Sequence, residues 1–518
     1  MLAAIILLFA LIRIRLLDIP LERDEGEYAL SGQLMLHGIP PYREAWNMKF
    51  PGTYVAYAFI MLLLGQTARA IHLGLLFINA ATTVFVFLLA RRFYDVRAAL
   101  AAAAAFAMLS VGGNVLGPMA HATHFVIFFA LAGMILVHRA LESGASAGFL
   151  LSGICFGCAV LMKQHGVFFG LFAGLWIVWS TLRSDRRFSL ILRRLLPFAF
   201  GAVLPLGLTC LVMWHFGAFE KFWFWTFQYA RQYTVETSLA DGWNNFTDEF
   251  PDVVVPNAAI WALAAAGLAL LWLRRDKLRF AFPATVFLAF SMLAVCPGLY
   301  FRDHYFIMTL PAIALLAGAA VNEGLVRLRR PAALWLCGLA IAVSLYEQRE
   351  FLFRMTLFEA SRAEYGASPF PEAIPIAAYI RSHTAPGSRI AILGSEPEIC
   401  FLADRRPATG YIYTYALMES QPYAARMQDE MIRQIEDAKP EYVVMVAVTS
   451  SWDADEDSLM RIFDWWKQYQ SLYERVGVVD MFSRTRTDYR WDAEAARLPP
   501  RAVRNLVVYR RSQVPTRP

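Results

Sequence analysis

Residues 68–92 read ARAIHLGLLFINAATTVFVFLLARR, an apolar run that is closed by two arginines. About 20 apolar residues in an α-helix cross the hydrocarbon layer of a bilayer, which is roughly 30 Å thick. Because loops rich in Lys and Arg stay on the cytoplasmic side, the charges after the run also indicate its direction. The stretch therefore predicts a membrane-spanning helix over residues 68–90 that ends on the cytoplasmic side.

The composition of the whole chain points to the same class of protein. Of its 518 residues, 58% are hydrophobic and 17% are charged, and the mean hydropathy is +0.43. Soluble globular chains are about 45–50% apolar and about 25% charged. The net charge of +6 is spread over short clusters without forming a basic face. Disorder and a role in nucleic-acid binding are therefore excluded.

Eleven apolar runs can be marked, which predicts a mainly α-helical, polytopic membrane protein with about eleven transmembrane helices. The predicted spans are residues 2–18, 68–90, 98–115, 117–137, 148–163, 166–182, 195–216, 256–273, 280–297, 305–323 and 332–346.

Lys and Arg alternate between the loops that join these spans. The loops on one side, including 19–67 and 217–255, hold seven of these residues, whereas five short loops on the other side hold sixteen. The sixteen are Arg91, Arg92, Arg97, Arg139, Arg183, Arg186, Arg187, Arg193, Arg194, Arg274, Arg275, Lys277, Arg279, Arg327, Arg329 and Arg330. The positive-inside rule then places the N-terminus in the cytoplasm and everything after about residue 347 outside.

Two apolar stretches in the outer loops are not predicted to cross the membrane. Residues 53–64 are too short to span and fit a helix that lies in the membrane interface. Residues 219–233, FEKFWFWTFQYARQY, are dense in aromatic residues beside Lys221 and Arg231. This pattern is typical of a segment at headgroup depth, and such a segment either anchors the protein or contacts substrate.

The chain changes character after residue 346, where we predict that a transmembrane domain (1–346) gives way to an extracytoplasmic α/β domain (347–518). Short β-rich runs alternate there with amphipathic stretches. The predicted strands are 388–394, 441–448, 473–482 and 504–511, and the predicted helices are 371–383, 421–437 and 456–468. The GSEPE sequence (394–398) lacks a glycine-rich phosphate motif and is interpreted as an ordinary connection.

The first outer loop, residues 19–67, carries an acidic cluster of Asp24, Glu25 and Glu27 just beyond the first span. The run that follows is typical of a short amphipathic helix, which would hold these acids at the membrane surface. A carboxylate there can deprotonate a hydroxyl or bind a metal, and a raised pKa would make it a better base. A solvated acidic turn is the alternative interpretation.

Cations at the outer ends of other spans suit a phosphate group bound at the lipid–water boundary. Lys49 lies in the first outer loop, Lys163 closes the fifth span, and Arg302 opens the tenth together with His304 and Tyr305. Two more histidines, His121 and His124, lie at the outer end of the fourth span. Each of these side chains, taken alone, is also compatible with a simple membrane-surface anchor.

Four motifs give the chain a family resemblance. They are RDEGEYA (23–29), the turn KFPGTY (49–54), LMKQ (161–164) and RDHYFIMTLPAIALLAG (302–318). In this order the motifs resemble polyprenyl-phosphate-sugar-dependent glycosyltransferases of the membrane GT-C superfamily. The family most similar to the chain is glycosyltransferase family 39, with protein O-mannosyltransferases and bacterial aminoarabinose transferases. The resemblance covers nearly the whole chain and implies a GT-C fold.

The resemblance implies an inverting transfer of a hexose or pentose from a polyprenyl-phosphate-sugar donor to an acceptor hydroxyl. Asp24 matches the acid that acts as general base or orients the acceptor, and Glu25 matches the adjacent acid. Lys49, Lys163 and Arg302 are then the candidates for binding the donor phosphate. His304 and Tyr305 would contact phosphate or sugar.

The resemblance also bears on metal, partners and location. Met48 stands where aminoarabinose transferases commonly have Glu before the Lys-Pro turn, so a divalent metal is not implied, although Asp24, Glu25 and His304 could supply ligands. The acceptor is a lipid, glycan or protein, in contact with membrane lipids and without nucleic acid. The implied location is the outer face of the bacterial inner membrane.

Two other classes of function are compatible with the same residues. A transporter or flippase of lipid-linked sugars would also need cations in a membrane groove, but such proteins often show internal repeats and interrupted spans. A non-catalytic membrane protein could use the outer domain to bind a partner, and its acidic loop would then be structural. The Asp24 carboxylate discriminates, because only catalysis requires it.

Overall fold

The computed structural model describes residues 1–234, 237–327 and 330–512, and its first two thirds are mainly helical. The helices there are α1 (Leu2–Arg15), α2 (Arg23–Leu36), α3 (Gly52–Leu64), α4 (Ala68–Ala90), α5 (Val96–Leu109), α6 (Ala122–Ser143), α7 (Ser146–Met162), α8 (Val167–Ser184), α9 (Phe188–His215), α10 (Phe219–Trp223), α11 (Ala230–Thr234), α12 (Leu239–Val254), α13 (Ala258–Leu273), α14 (Leu278–Leu293), α15 (Leu310–Arg327) and α16 (Arg330–Glu347).

Each of the eleven predicted spans coincides with one of these helices, which confirms the mainly α-helical fold class. Within the described ranges, six helical stretches are long and apolar enough to cross a membrane: Ala68–Ala90, Ala122–Ser143, Gln164–Ser184, Phe188–His215, Leu239–Leu273 and Asp303–Gly324. Shorter apolar helices accompany them, among them α5, α7 and α14. The chain is therefore an integral membrane protein, and the number of eleven crossings stays a prediction. Of the basic loop residues, Arg329 lies outside the described residues.

Glycines let several of these helices approach one another closely. A Cβ atom at Gly153 of α7 would lie 2.0 Å from the carbonyl oxygen of Phe198 in α9. A Cβ atom at Gly267 of α13 would lie 2.0 Å from the carbonyl oxygen of Leu316 in α15. Small residues at such contacts maximise van der Waals packing, which is a main source of helix association within a membrane. The helices are thereby packed into one scaffold that carries the outer loops.

The rest of the chain forms the predicted α/β domain. Its helices are α17 (Leu357–Tyr365), α18 (Phe370–His383), α19 (Pro397–Ala403), α20 (Tyr415–Met418), α21 (Ala424–Ala438), α22 (Thr449–Trp452), α23 (Arg461–Tyr469) and α24 (Asp492–Arg497). Its strands are β1 (Arg389–Leu393), β2 (Arg406–Pro407), β3 (Tyr442–Ala447), β4 (Tyr473–Met481), β5 (Thr487–Trp491) and β6 (Asn505–Arg511). The last six residues of the predicted domain, 513–518, lie outside the described part of the chain.

The six strands form one mixed sheet in the order β2-β1-β3-β6-β4-β5. The pairs β2-β1 and β1-β3 are parallel, and the remaining pairs are antiparallel. The parallel strands β1 and β3 are almost continuously apolar, as expected where both faces of a sheet are covered. The four predicted strands are confirmed as β1, β3, β4 and β6, whereas β2 and β5 are too short and too polar to have been recognised.

The α/β domain packs directly on the first outer loop of the membrane part. The carboxylate of Glu44 forms ion pairs with Arg389 and Arg406 at the start of β1 and β2. The backbone N–H of Trp46 donates to the carbonyl oxygen of Gly410 at 2.9 Å. Helix α2 packs on α3 and on α19. The two domains therefore share an interface at the acidic loop.

The aromatic segment 219–233 also lies at this interface. It forms α10, a π-helical turn over Phe224–Tyr229 and the start of α11. The fully buried ring of Phe222 packs against Tyr42 and Phe50 of the first outer loop. Its depth in the membrane stays a prediction, as does that of α3.

Candidate active site

The acidic cluster occupies the first turn of α2, where the sequence builds a capping box. The carboxylate of Glu22 accepts hydrogen bonds from the backbone N–H groups of Asp24 (2.9 Å) and Glu25 (2.8 Å). The carboxylate of Glu25 accepts in return from the N–H of Glu22 at 3.3 Å. Acidic residues are also favoured there by the positive end of the helix dipole. The helix start is thereby fixed, and successive acids point in different directions.

Asp24 and Glu27 lie on the same face of α2 and share one cation. The Nζ atom of Lys49 donates to Oδ1 of Asp24 at 2.6 Å and to Oε2 of Glu27 at 2.8 Å. Oδ1 of Asp24 also accepts a hydrogen bond from the hydroxyl of Tyr413 at 3.0 Å. Oε2 of Glu27 accepts from Nδ2 of Asn47 at 2.7 Å. The sequence predicts Lys49 as a phosphate ligand, but in the structure its charge is engaged by two carboxylates.

This arrangement sets the protonation state of Asp24. Burial raises the pKa of its carboxyl, but the charge of Lys49 outweighs that effect and holds the pKa well below its usual value. The same pairing holds the pKa of Lys49 above its usual value despite burial. The raised pKa that would favour a strong base is therefore absent, and Asp24 is ionised throughout the neutral range.

A cavity of about 650 Å³ opens beside Asp24, between the membrane helices and the α/β domain. Six of the seven predicted site residues line it: Asp24, Lys49, Lys163, Arg302, His304 and Tyr305. The rest of the wall is largely aromatic, with Trp46, Trp225, Tyr229, Tyr233, Tyr413 and Tyr415, and is completed by Asn47, Met48, Ala416 and the acidic Glu419. Polar groups and aromatic rings that line one cavity are suited to a ligand that has both a charged group and a sugar ring.

Lys163 and Arg302 are the two cations of the cavity that no described carboxylate neutralises. The Nζ atom of Lys163 lies 3.8 Å from the ring centroid of Tyr305, and the guanidinium of Arg302 lies 5.4 Å from that of Tyr300. Burial lowers the pKa of Lys163 to about 7, and the charges of Lys49 and Arg302 contribute to the shift. An anion in the cavity would relieve this repulsion and restore the charge of Lys163.

Glu25 is the one predicted site residue that does not line the cavity. Its fully buried carboxylate contacts Nε2 of His72 in α4 at 2.9 Å and accepts from the N–H of Ala120 at 2.5 Å. It thus points away from Asp24 and joins α2 to the membrane helices. These contacts give Glu25 a role in holding the loop in place.

A group of possible metal ligands lies beside Asp24. One ligand atom each from Asp24, His121 and His304 lies within 4.8 Å of the others, and the two imidazole rings are stacked with centroids 4.0 Å apart. The buried Nδ1 atom of His121 has no hydrogen-bond partner among the described residues and lies 3.7 Å from the carboxylate of Glu22. Burial lowers the pKa of His121 to about 4, which keeps its ring neutral, as a ligand must be.

Two imidazoles and a carboxylate are a common donor set for divalent transition metals, so these residues fit such an ion. The sequence predicts two of the three, Asp24 and His304, and His121 takes the place that the sequence gave to Glu25. The sequence identifies His121 only as a histidine at the predicted outer end of the fourth span, because nothing in the pattern pairs it with His304.

Sequence reasoning also missed the contribution of the α/β domain. Tyr413 and Tyr415 reach the cavity from the segment YIYTY (411–415), whose alternating aromatic residues are the one signal that could have drawn notice. The GSEPE segment (394–398), interpreted as an ordinary connection, contacts α2 instead. The carbonyl oxygen of Ser395 accepts from Nε of Arg23 at 2.6 Å, and Glu396 forms an ion pair with the same guanidinium at 3.3 Å.

Comparison with known proteins agrees with this architecture. Residues 49–214 match the family model of dolichyl-phosphate-mannose-protein mannosyltransferase, a range that includes Lys49 and Lys163 and begins after Asp24. No curated protein sequence matches the chain.

Solved structures resemble the chain over almost its entire length. ArnT from Cupriavidus metallidurans, bound to undecaprenyl phosphate, is 15% identical with a TM-score of 0.62 over 98% of this chain and 97% of that one. The archaeal oligosaccharyltransferase AglB from Archaeoglobus fulgidus, in complex with an inhibitory peptide and a dolichol-phosphate, is 13% identical with a TM-score of 0.51 over 95% and 74%. At these identities the structural likeness establishes the fold alone.

The family-model match over residues 49–214 and the likeness in fold both agree with the resemblance to membrane GT-C glycosyltransferases. The GT-C fold expected from the sequence is thereby confirmed.

Proposed function

We propose that the chain transfers a sugar, a hexose or a pentose, from a polyprenyl-phosphate donor to an acceptor hydroxyl, with inversion of the anomeric configuration. The observation that carries the proposal is the shared cavity, in which the ionised Asp24 faces the same space as the cations Lys163 and Arg302. An acid near the acceptor and cations near the leaving phosphate are the two requirements of such a transfer. Undecaprenyl phosphate and dolichol-phosphate in the two related structures support a polyprenyl donor.

The reaction assigns one task to the acid of the cavity and another to its cations. The acceptor oxygen attacks the anomeric carbon while the bond from that carbon to the phosphate oxygen breaks, and its electron pair goes to the phosphate. Lys163 and Arg302 compensate the charge that develops there. Preorganised cations in a poorly hydrated site can stabilise a transition state by roughly several kcal/mol. Asp24 accepts the proton of the attacking hydroxyl. Inversion requires the base and the leaving group to lie on opposite faces of the sugar.

Because the pKa of its carboxyl is low, Asp24 is a weak base in this step. A weak base takes the proton only when the acceptor oxygen has largely bonded to the anomeric carbon and its own acidity has risen. Before that, the carboxylate serves to hold the hydroxyl by a hydrogen bond. Lys49 thus acts through Asp24, and His304 and Tyr305 lie where they can contact the donor phosphate or its sugar.

A divalent metal fits the same site and would be held by Asp24, His121 and His304. Such an ion, when bound, would supply further positive charge beside the donor phosphate.

Several further features belong to the proposal. The cavity faces the outside of the membrane, because the basic loops lie at the opposite ends of the helices. The division into a transmembrane domain (1–346) and an extracytoplasmic domain (347–518), and the location in a bacterial inner membrane, are proposed with it. The acceptor hydroxyl belongs to a lipid, a glycan or a protein.

The experiment that tests the function uses purified wild-type protein with a panel of undecaprenyl-phosphate-linked sugars and envelope extract as acceptor. Mass spectrometry follows the free undecaprenyl phosphate and the mass added to the acceptor. We expect the two to appear together for at least one donor. The proposal would be contradicted if free undecaprenyl phosphate appeared without a modified acceptor. It would also be contradicted if the protein moved the intact donor across a vesicle membrane without cleaving it.

The orientation is tested separately at Ser483, an exposed residue of the α/β domain. A Ser483→Cys variant should react with a membrane-impermeant maleimide from outside intact cells. Reaction only after the membrane is opened would overturn the outer location of the cavity.

A further inference from the structure

Tyr413 links the α/β domain to the proposed base. Its hydroxyl donates to Oδ1 of Asp24 at 3.0 Å, and Nζ of Lys49 donates to the same oxygen at 2.6 Å. No described residue donates a hydrogen bond to the second oxygen, Oδ2. Two donors on one oxygen prevent the carboxylate from rotating, because rotation would break both hydrogen bonds. The free oxygen is therefore the one presented to the cavity.

The backbone next to Tyr413 is held by buried hydrogen bonds. The N–H of Thr414 donates to Oγ of Ser395 at 2.9 Å, and Oγ1 of Thr414 donates to the carbonyl oxygen of Ser451 at 2.9 Å. Thr414, Ser395 and Ser451 are all fully buried. Such enclosed hydrogen bonds fix the backbone and leave the ring of Tyr413 little freedom.

Ser395 holds α2 as well, so one residue contacts the neighbours of both Asp24 and Tyr413. Its carbonyl oxygen accepts from Arg23, the residue before Asp24, at 2.6 Å, while its hydroxyl accepts from Thr414. The guanidinium of Arg23 also lies 5.3 Å from the ring centroid of Tyr415. The distance between the phenol and the carboxylate is thus set by a short, buried chain of contacts.

We propose that Tyr413 is a positioning residue of the transferase reaction, which makes the α/β domain part of the active site. The inference rests on the proposed function of Asp24. Lys49 has a long flexible side chain and a second carboxylate to pair with, so alone it would leave Asp24 more freedom to rotate. The phenol of Tyr413 removes that freedom, and small misplacements of reacting groups, of about 1 Å, can cost on the order of 100-fold in rate.

The test compares Tyr413→Phe with Tyr473→Phe, in which a phenol hydroxyl of the same domain loses its hydrogen bond to the carbonyl oxygen of Pro440. For each variant, kcat and the donor KM are measured, together with the Kd for undecaprenyl phosphate. We expect Tyr413→Phe to lower kcat by about tenfold or more with KM and Kd nearly unchanged, and Tyr473→Phe to match wild type. An unchanged kcat, or a loss that appears equally in KM and Kd, would overturn the inference.

A double-mutant cycle separates positioning from general damage. In an Asp24→Asn background the Tyr413→Phe change should have little further effect on the residual rate, since the oxygen it positions no longer acts as base. A fully additive loss would overturn the inference while leaving the proposed function intact. Absence of any transfer by wild type would instead contradict the proposed function itself.

Discussion

The Nζ atom of Lys49 lies 2.6 Å from Oδ1 of Asp24, so the cation and the acid singled out in the first outer loop form one ion pair. From the sequence these residues have separate tasks, one on the donor phosphate and the other on the acceptor hydroxyl. In the proposed function, phosphate binding falls to Lys163 and Arg302. Lys49 is then proposed to orient Asp24 and keep it ionised, and this assignment can be tested.

Replacing Lys49 by Met should impair both stability and activity. Asp24 and Glu27 would be left facing each other without a counter-charge, and Glu27 is fully buried. Removing one partner of a buried ion pair typically costs about 3–5 kcal/mol, and the partial exposure of Asp24 and Lys49 places this case near the lower end. Thermal unfolding and kcat would both be measured. Lys467→Met is the control, because Lys467 forms an exposed pair with Asp464. Equal thermal stability and equal kcat in Lys49→Met and Lys467→Met would contradict the role of Lys49 in orienting Asp24.

The affinity for the donor phosphate should fall as the pH rises above about 7. The pKa of Lys163 is lowered to about 7, so its side chain is protonated below that pH and becomes neutral above it. Phosphate binds the protonated form, and the protonated fraction falls from about one half at about pH 7 to about one hundredth at about pH 9, hence the Kd for undecaprenyl phosphate should rise by up to about 50-fold over that range. Lys163→Arg, whose charge persists, should lose most of this dependence. A Kd that is flat for wild type, or equally steep for Lys163→Arg, would show that Lys163 does not bind the phosphate.

Much of this architecture follows from the chain itself, because apolar runs and loop charges report directly on membrane helices. Asp24, Lys163 and Arg302 could be recognised in the sequence because ionisable residues at the membrane boundary are rare. The sequence pattern could not show which distant segments of the chain lie close together in space. Glu25 and Asp24 are adjacent in sequence yet face opposite sides of α2, whereas Tyr413 lies 3.0 Å from Asp24 across 389 positions.

The close contact between α2 and the GSEPE segment should not tolerate a side chain at Gly26. A Cβ atom there would lie 2.7 Å from the backbone nitrogen of Glu398, which cannot move without shifting the loop that also holds Thr414. We expect Gly26→Ala to lower the free energy of unfolding by about 1–3 kcal/mol and to reduce kcat. Gly207→Ala is the control, since no atom lies within 4 Å of its added Cβ. If Gly26→Ala had the same stability and kcat as the wild type, the close contact between α2 and the GSEPE segment would be refuted.

The histidine pair predicts a specific metal content. If Asp24, His121 and His304 hold a divalent ion, the purified protein should carry about one equivalent, and either His121→Ala or His304→Ala should remove most of it. Elemental analysis after dialysis against trace zinc or manganese would measure this directly. His37→Ala, at an exposed position, should retain the full content. Retention by His121→Ala would exclude that residue as a ligand.

The central claim is that the Asp24 carboxylate, and not that of Glu25, takes the proton of the acceptor. The most direct measurement is the initial rate at which free polyprenyl phosphate appears with Asp24→Asn, Glu25→Gln and the exposed control Asp18→Asn, all at saturating donor. We expect Asp24→Asn to lose on the order of 100-fold or more in this rate, with a smaller loss of thermal stability than Lys49→Met, because Lys49 keeps its ion pair with Glu27. Glu25→Gln should lose stability chiefly, through its buried contacts with His72 and Ala120. Release by Asp24→Asn at the wild-type rate would contradict the account.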